Sequence, residues 1–250
     1  MLRATARLLR DAAVSLAYPD DCRVCGNSVE AWGDGVACSH CWEDNSITEL
    51  WTGQPLCQRC GVLLSRPSSS EECVLCKDMP VAAARSCAAY KGSVEASILF
   101  LKSHPYIHAR LYNIMRAVFA ANEAALSSDF IVPVPLHRSR QKERGFNQAN
   151  IVARSLGRIS DLTVDYHCLE RTKQTKRHRV GMDAKERAKS VEGAFGVLRP
   201  DLVRGRSVLI CDDVMTSGST ISEAARSLIQ SGAARVNAFT IARALIRPRF

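Results

Sequence analysis

No apolar run in this chain approaches the ~18 residues that a bilayer-crossing helix needs, so a membrane span is not expected. A signal-peptide core is missing too, which leaves the cytoplasm as the expected compartment and reduced thiols as its rule. No Gly-Lys-Ser or Gly-Lys-Thr occurs, and that excludes a Walker loop. No Ser-His-Asp or Cys-His arrangement for nucleophilic catalysis is legible. Aromatic residues make up only 6% of the chain and form no repeated pattern with basic ones, an argument against a dedicated base-stacking surface. Acids are absent from the stretch 171–179, "RTKQTKRHR". Across the chain 34 Lys and Arg outnumber 25 Asp and Glu, a formal charge of +9. That balance suits an anionic partner, either a phosphorylated metabolite or nucleic acid; a generally basic surface is the alternative.

Cysteine, by contrast, is abundant. Eight of the 11 form four Cys-x-x-Cys pairs: Cys22 and Cys25, Cys38 and Cys41, Cys57 and Cys60, Cys73 and Cys76. Each member of the second half lies 35 residues after its counterpart in the first, and 12 residues separate the two pairs of each half. The pattern is a duplicated four-cysteine unit. A Cys-x-x-Cys turn aims two sulfurs at one point about 2.3 Å from each, and a second turn closes the tetrahedron around Zn²⁺. Gly26 and Gly61 follow each first turn, where the backbone is tight. A unit this small draws its folding energy from the metal. Four protein ligands close each site, which marks the zinc as structural. Disulfides are the alternative and conflict with a reducing compartment. The repeat points to sequential pairing, with crossed pairing as the alternative. Two such sites lower the net charge to roughly +5. Cys87, Cys168 and Cys211 have no partner at ligand spacing and read as small buried hydrophobes.

Three segments emerge from these signals. Residues 1–19 carry Leu2, Leu9 and Leu16 at seven-residue spacing and end at Pro19, which reads as an amphipathic packing helix; a transit peptide is the alternative. Residues 20–80 hold the two zinc ribbons. From 81 to 250 strand-like and helix-like stretches alternate: "VAAARSCAAY", "SVEASILFLKS", "ARLYNIMRAVFAANEAAL", "DFIVPVPL", "NQANIVARSLGRI", "SVLICDDV", "TISEAARSLIQSG", "RVNAFTIARA". This alternation predicts an α/β fold, a mostly parallel sheet flanked by helices, with ligands beyond the carboxyl ends of its strands.

The segment "VLICDDVMTSGST" then carries the chemistry. Asp212 and Asp213 fall at a strand end. Thr216, Ser217, Gly218, Ser219 and Thr220 come next, as a loop that opens a helix. Backbone N–H groups, hydroxyls and the helix dipole converge there, as a phosphate requires. Two carboxylates beside a phosphate repel it unless they have another task, and accepting hydrogen bonds from a sugar diol next to Mg²⁺ is such a task. The ligand that fits is a ribose 5-phosphate derivative.

The same 13 residues resemble the phosphoribosyl pyrophosphate (PRPP) signature of type I phosphoribosyltransferases. A helix, a doubled four-cysteine module and this domain, in that order, resemble the competence protein F (ComF) family with its gluconate-utilisation protein X relatives. "DFIVPVPLHRSRQKERGFNQANIVARSL" and "RTKQTKRHRVGMDAKERAKSVEGAF" carry the likeness further. His178, Ser190 and the pair Gly181 and Met182 depart from that pattern, all in the loop that would cover the substrate. The resemblance implies displacement of pyrophosphate at the anomeric carbon. Asp212 and Asp213 would hold the ribose hydroxyls, residues 216–220 the 5-phosphate, and Arg138, Arg144 and Gly145 would form a pyrophosphate loop. Lys173 and Lys176 would close from a basic flap, with Lys102 as a further candidate for the anion. The acceptor is not specified by any segment. It also implies a second role: a PRPP- or nucleotide-responsive adaptor that binds single-stranded DNA alongside DNA-uptake or recombination proteins.

Overall fold

In a computed structural model of the chain, the described residues are 20–43, 56–64, 73, 76–173 and 189–244. The helix expected over 1–19, Lys176, His178, Gly181 and Met182 lie outside them.

Four strands form one parallel sheet: β1 (Ala83–Ala89), β2 (Phe130–Pro133), β5 (Ser207–Met215) and β6 (Arg235–Arg243), in the order β1-β6-β5-β2. Every residue of β2, and every one of β6 after Arg235, is buried. Such continuous burial is the mark of a sheet covered on both faces. Beyond β2, Val164 adds a parallel bridge to Ile131, with Ile131 N–H donating to Thr163 at 2.8 Å.

The pleat divides the core in two. Leu209, Cys211, Phe239 and Ile241 pack with α2 (Gly92–Leu101), α3 (Ala109–Ala121) and α5 (Gln148–Ser160). Val208, Ile210, Val236 and Ala238 pack on the other face with α7 (Ser219–Gln230). The helices after β2 and β5 thus cover opposite faces. From β5 the chain crosses to β6; from β2 it crosses the other way, to Val164. The order reverses between β5 and β2, and that switch point is where an open α/β sheet leaves a crevice at its carboxyl edge.

The ribbons keep their duplication in three dimensions. Short antiparallel bridges join Asp21 to Ser28 and Leu56 to Leu63. Cys22 N–H donates to Asn27 at 2.6 Å, and Cys57 N–H to Val62 at 2.9 Å. Gly26 and Gly61 have φ of +79° and +66°, the left-handed region that side chains disfavour. A short helix α1 (Ser39–Glu43) carries the first ribbon's second turn, and Ser93 Oγ of α2 donates to Cys41 O at 2.8 Å. Cys22, Cys38 and Cys41 share the core of α2, α3 and α5, whereas Cys57, Cys60 and Cys76 share that of α7. The two ribbons therefore brace opposite faces of the sheet.

Some shorter elements went unseen in the sequence. β3 (Leu169–Arg171) and β4 (Phe195–Val197) pair antiparallel beside α7. Stretch 138–144, expected as a loop, is the helix α4 (Arg138–Arg144). His137 caps it, its ring accepting from Ser139 N–H at 3.3 Å, and Gly145 at φ +80° ends it. A four-residue helix, α6 (Pro200–Val203), precedes β5.

Candidate functional site

Each cysteine half forms its own cluster: Cys22, Cys25, Cys38 and Cys41 in one, Cys57, Cys60, Cys73 and Cys76 in the other, with the four sulfurs of each mutually within 4.8 Å. The pairing is sequential, and among the described residues no histidine joins either group. Sulfurs on a tetrahedron with 2.3 Å bonds lie about 3.8 Å apart. Cys25 to Cys38 is 3.7 Å, Cys57 to Cys76 3.6 Å and Cys60 to Cys73 4.0 Å, so both groups fit Zn²⁺. His40 is exposed beside its knuckle. Cys87 and Cys211 are fully buried, and burial pushes both thiols well up, as expected of inert hydrophobes.

At the switch point, Asp212 and Asp213 stand near the end of β5 and are half-buried. Successive strand residues face opposite sides, so the two carboxylates leave the sheet in different directions. Each folds back on the next peptide: Asp212 Oδ1 accepts from Asp213 N–H at 2.9 Å, and Asp213 Oδ1 from Val214 N–H at 2.7 Å. Burial, then repulsion from Asp213, raises Asp212 well above the usual carboxylate range; the Arg171 guanidinium opposes the rise. Arg171, grouped with the flap on sequence, is instead a residue of β3, its guanidinium 5.4 Å from the Phe195 ring centroid. It is the cation that the structure adds to the acid pair.

Residues 216–218 turn between β5 and α7, and Ser219 and Thr220 begin that helix. Gly218 is its N-cap at φ +80°. Thr216, Ser217, Ser219 and Thr220 are half-buried, and the Ser217 and Ser219 hydroxyls meet at 3.1 Å. The first N–H groups of a helix have no partner within it, so this turn offers donors together with the positive end of the dipole. A Cβ on Gly218 would collide with the methyl of Met79, a residue of the second ribbon. The ribbon thus packs directly on this turn.

Across the switch point, Val134 N–H donates to Cys211 O at 2.9 Å, which carries the end of β2 alongside the acid pair. Asn147 fixes the start of α5: its Nδ2 donates to Val134 O at 2.9 Å, and its Oδ1 caps the helix at Ala149 N–H. Gly145 and Arg144 sit at this junction. Arg138 begins α4, 3.8 Å from Glu170, and lines with Arg171 and Tyr166 a 220 Å³ cavity. Lys173 Nζ donates to Glu192 O at 3.0 Å, holding together the two chain segments next to the β3–β4 pair. Lys102 caps the far end of α2, a helix that starts at the carboxyl edge of β1 and runs about 15 Å away from it. The structure gathers residues 212–220 at the switch point with Arg171, and leaves Lys102 apart.

Comparison with known proteins agrees with this architecture. The family described as phosphoribosyl transferase domain matches residues 107–249, and that described as double zinc ribbon domain matches 13–77. DNA utilization protein YhgH of Escherichia coli K12 is 37% identical over 117 residues, 47% of this chain and 50% of that one. Competence protein F of Haemophilus influenzae is 35% identical over 115 residues, 46% of this chain and 50% of that one. Competence protein ComFC of Bacillus subtilis is 30% identical over 139 residues, 54% of each. The match thus spans about half the length of these curated relatives. A glutamine PRPP amidotransferase from B. subtilis, solved with ADP and GMP, covers 52% of this chain and 25% of its own at 18% identity and a TM-score of 0.35. No helix among the described residues is long and apolar enough to cross a membrane. With its family match over more than half its length and a double zinc ribbon ahead of it, the chain belongs to the phosphoribosyl transferase domain family, among the proteins related to competence protein F.

Proposed function

We propose that residues 212–220 bind the ribose 5-phosphate unit of PRPP with Mg²⁺, and that the chain transfers this unit with release of pyrophosphate. The observation that carries the reading is the junction of β5 and α7: an acid pair, a left-handed glycine and a helix N-terminus, at the switch point of a parallel sheet. In this reading the 5-phosphate accepts hydrogen bonds from the turn 216–220 and gains from the dipole. Asp212 and Asp213 accept from the ribose hydroxyls and stabilise the positive charge that develops on the ring. Their oxygens are of the hard type that Mg²⁺ takes, and the ion would supply charge neutralisation at the pyrophosphate. Arg171 is a cation whose charge acts on Asp212, and Arg144 and Lys173 lie on neighbouring segments. A loose transition state needs positioning and electrostatics more than a protein nucleophile, and the described residues offer just that.

The names of the relatives favour a second reading. DNA utilization and competence point to an adaptor that binds single-stranded DNA and responds to PRPP without turning it over. Both readings put PRPP at the same turn. They separate in one experiment. Zinc-loaded protein is incubated with Mg²⁺ and PRPP, with and without a panel of bases, while pyrophosphate release is followed. Labelled single-stranded DNA is titrated in parallel over a range of salt concentrations. Base-dependent release supports transfer. PRPP binding without release, together with a steep salt slope for DNA, supports the adaptor. Absence of PRPP binding sinks both.

A further inference from the structure

Among the described residues two buried cations lie beside the second cysteine cluster, and none lies beside the first. Arg85 and Arg243 are 9% and 3% exposed. Arg85 donates to Gln58 O inside the knuckle at 2.9 Å, and through Nε to Asn122 at 2.8 Å. Arg243 donates to Cys60 O, and its Nη2 lies 3.7 Å from the Cys60 sulfur. Among the described residues no carboxylate lies within 4.0 Å of either guanidinium. A buried guanidinium without an anion is strongly unfavourable. The available anion is the metal centre itself: Zn²⁺ held by four thiolates carries two net negative charges, and two guanidiniums balance it. At the first cluster the nearby Arg23 lies over the Phe100 ring instead, and Cys25 is exposed.

Arg243 also reaches the other way. It pairs with Met215 across β6 and β5, and its Nη1 is 3.8 Å from the Met215 sulfur. Ala244 N–H, next in sequence, donates to Met215 O at 3.0 Å. Met215 is the last residue before the turn 216–218. Met79, whose N–H donates to the Cys76 carbonyl at 3.0 Å, packs its methyl on Gly218, where the Met215 sulfur is also a neighbour. The turn is thus bordered by two side chains, Met215 and Met79, that are tied to the second metal centre.

We propose that Arg243 is a positioning residue that balances the second zinc–thiolate centre and, together with Met79, fixes the turn 216–220, so that zinc occupancy there sets the order of the phosphate site. The proposal rests on the reading of that turn as a phosphate site, but its test does not. Zinc release to a chromogenic chelator and backbone hydrogen exchange are measured on the full chain for the wild type, Arg243→Met and Arg243→Lys. Arg243→Met is expected to release one of its two zinc ions about tenfold faster, the usual scale for losing a partner of metal ligands. Residues 214–220 exchange faster in it, residues 20–43 do not, and Arg243→Lys recovers part of both effects. Wild-type release kinetics in Arg243→Met, or unchanged exchange at 214–220 after the zinc has left, overturns the proposal. If Arg243→Met fails to fold, Met79→Ala leaves every charge in place; it should keep both zinc ions and loosen 214–220, and unchanged exchange there also overturns the proposal. Titration with ribose 5-phosphate is read separately: failure of the zinc-loaded wild type to bind it defeats the proposed function, while zinc release and exchange decide the coupling.

Discussion

Asp212 stands in a place that suits a ligand better than it suits the folded protein. Its folded pKa is raised, by burial first and by Asp213 second. For an acid the sign is direct. The fold favours the protonated form, so the contribution to stability is full below the unfolded value near 4 and is lost as pH rises through the folded value. Asp212→Asn removes a charge that the site disfavours. Thermal melts between pH 4 and 8 should show it more stable than the wild type at neutral pH by about 1 kcal/mol, or roughly 2–4 °C, with the difference fading toward pH 4. A lower melting temperature at neutral pH contradicts this account of the site. The acid pair and the small-residue turn were legible in the sequence because their chemistry is local. Arg243 was not: it lies 183 residues from Cys60, and an arginine at the end of a strand carries no sign of the sulfur it will meet.

At the scale of elements, the hydrophobic periods found the sheet strands and the long helices, since burial on one or both faces sets those periods. They missed α4, which buries no side chain and is held by a histidine cap and a terminal glycine. They missed β3 and β4 as well, strands of three residues that carry too little pattern to read. What fixes these small elements is polar. Glu223 of α7 is 8% exposed; it accepts from Gly193 N–H and from Arg226, each at 2.7 Å. It ties the approach to β4 onto the helix that comes after the turn 216–218. Glu223→Gln keeps the shape and weakens both bonds, and urea unfolding should register a loss of about 1–2 kcal/mol. Hydrogen exchange of residues 189–197 should rise in the same variant; unchanged protection there would show that Glu223 does not hold the segment.

On the scale of the whole molecule, the two ribbons and the sheet are one packing problem. Cys57, Cys60 and Met79 share a core with Val208 and Ile221, so the division we propose at residue 80 separates stretches of sequence while the packing runs across it. The four-cysteine repeat announced two zinc centres, yet it gave no sign that they would take opposite faces of the sheet or that one would touch the turn 216–218. That arrangement depends on which way the chain crosses at each strand, and the crossover sense is written in no single segment. The same crossovers create the switch point between β5 and β2, on which the proposed function depends. The most direct test is calorimetric titration of PRPP with Mg²⁺ into the zinc-loaded full chain and into Asp212→Asn/Asp213→Asn. The account predicts saturable binding at one site in the wild type, competed by ribose 5-phosphate and abolished in the double variant, with both proteins carrying two zinc ions. Equal PRPP affinity in the two proteins would contradict it.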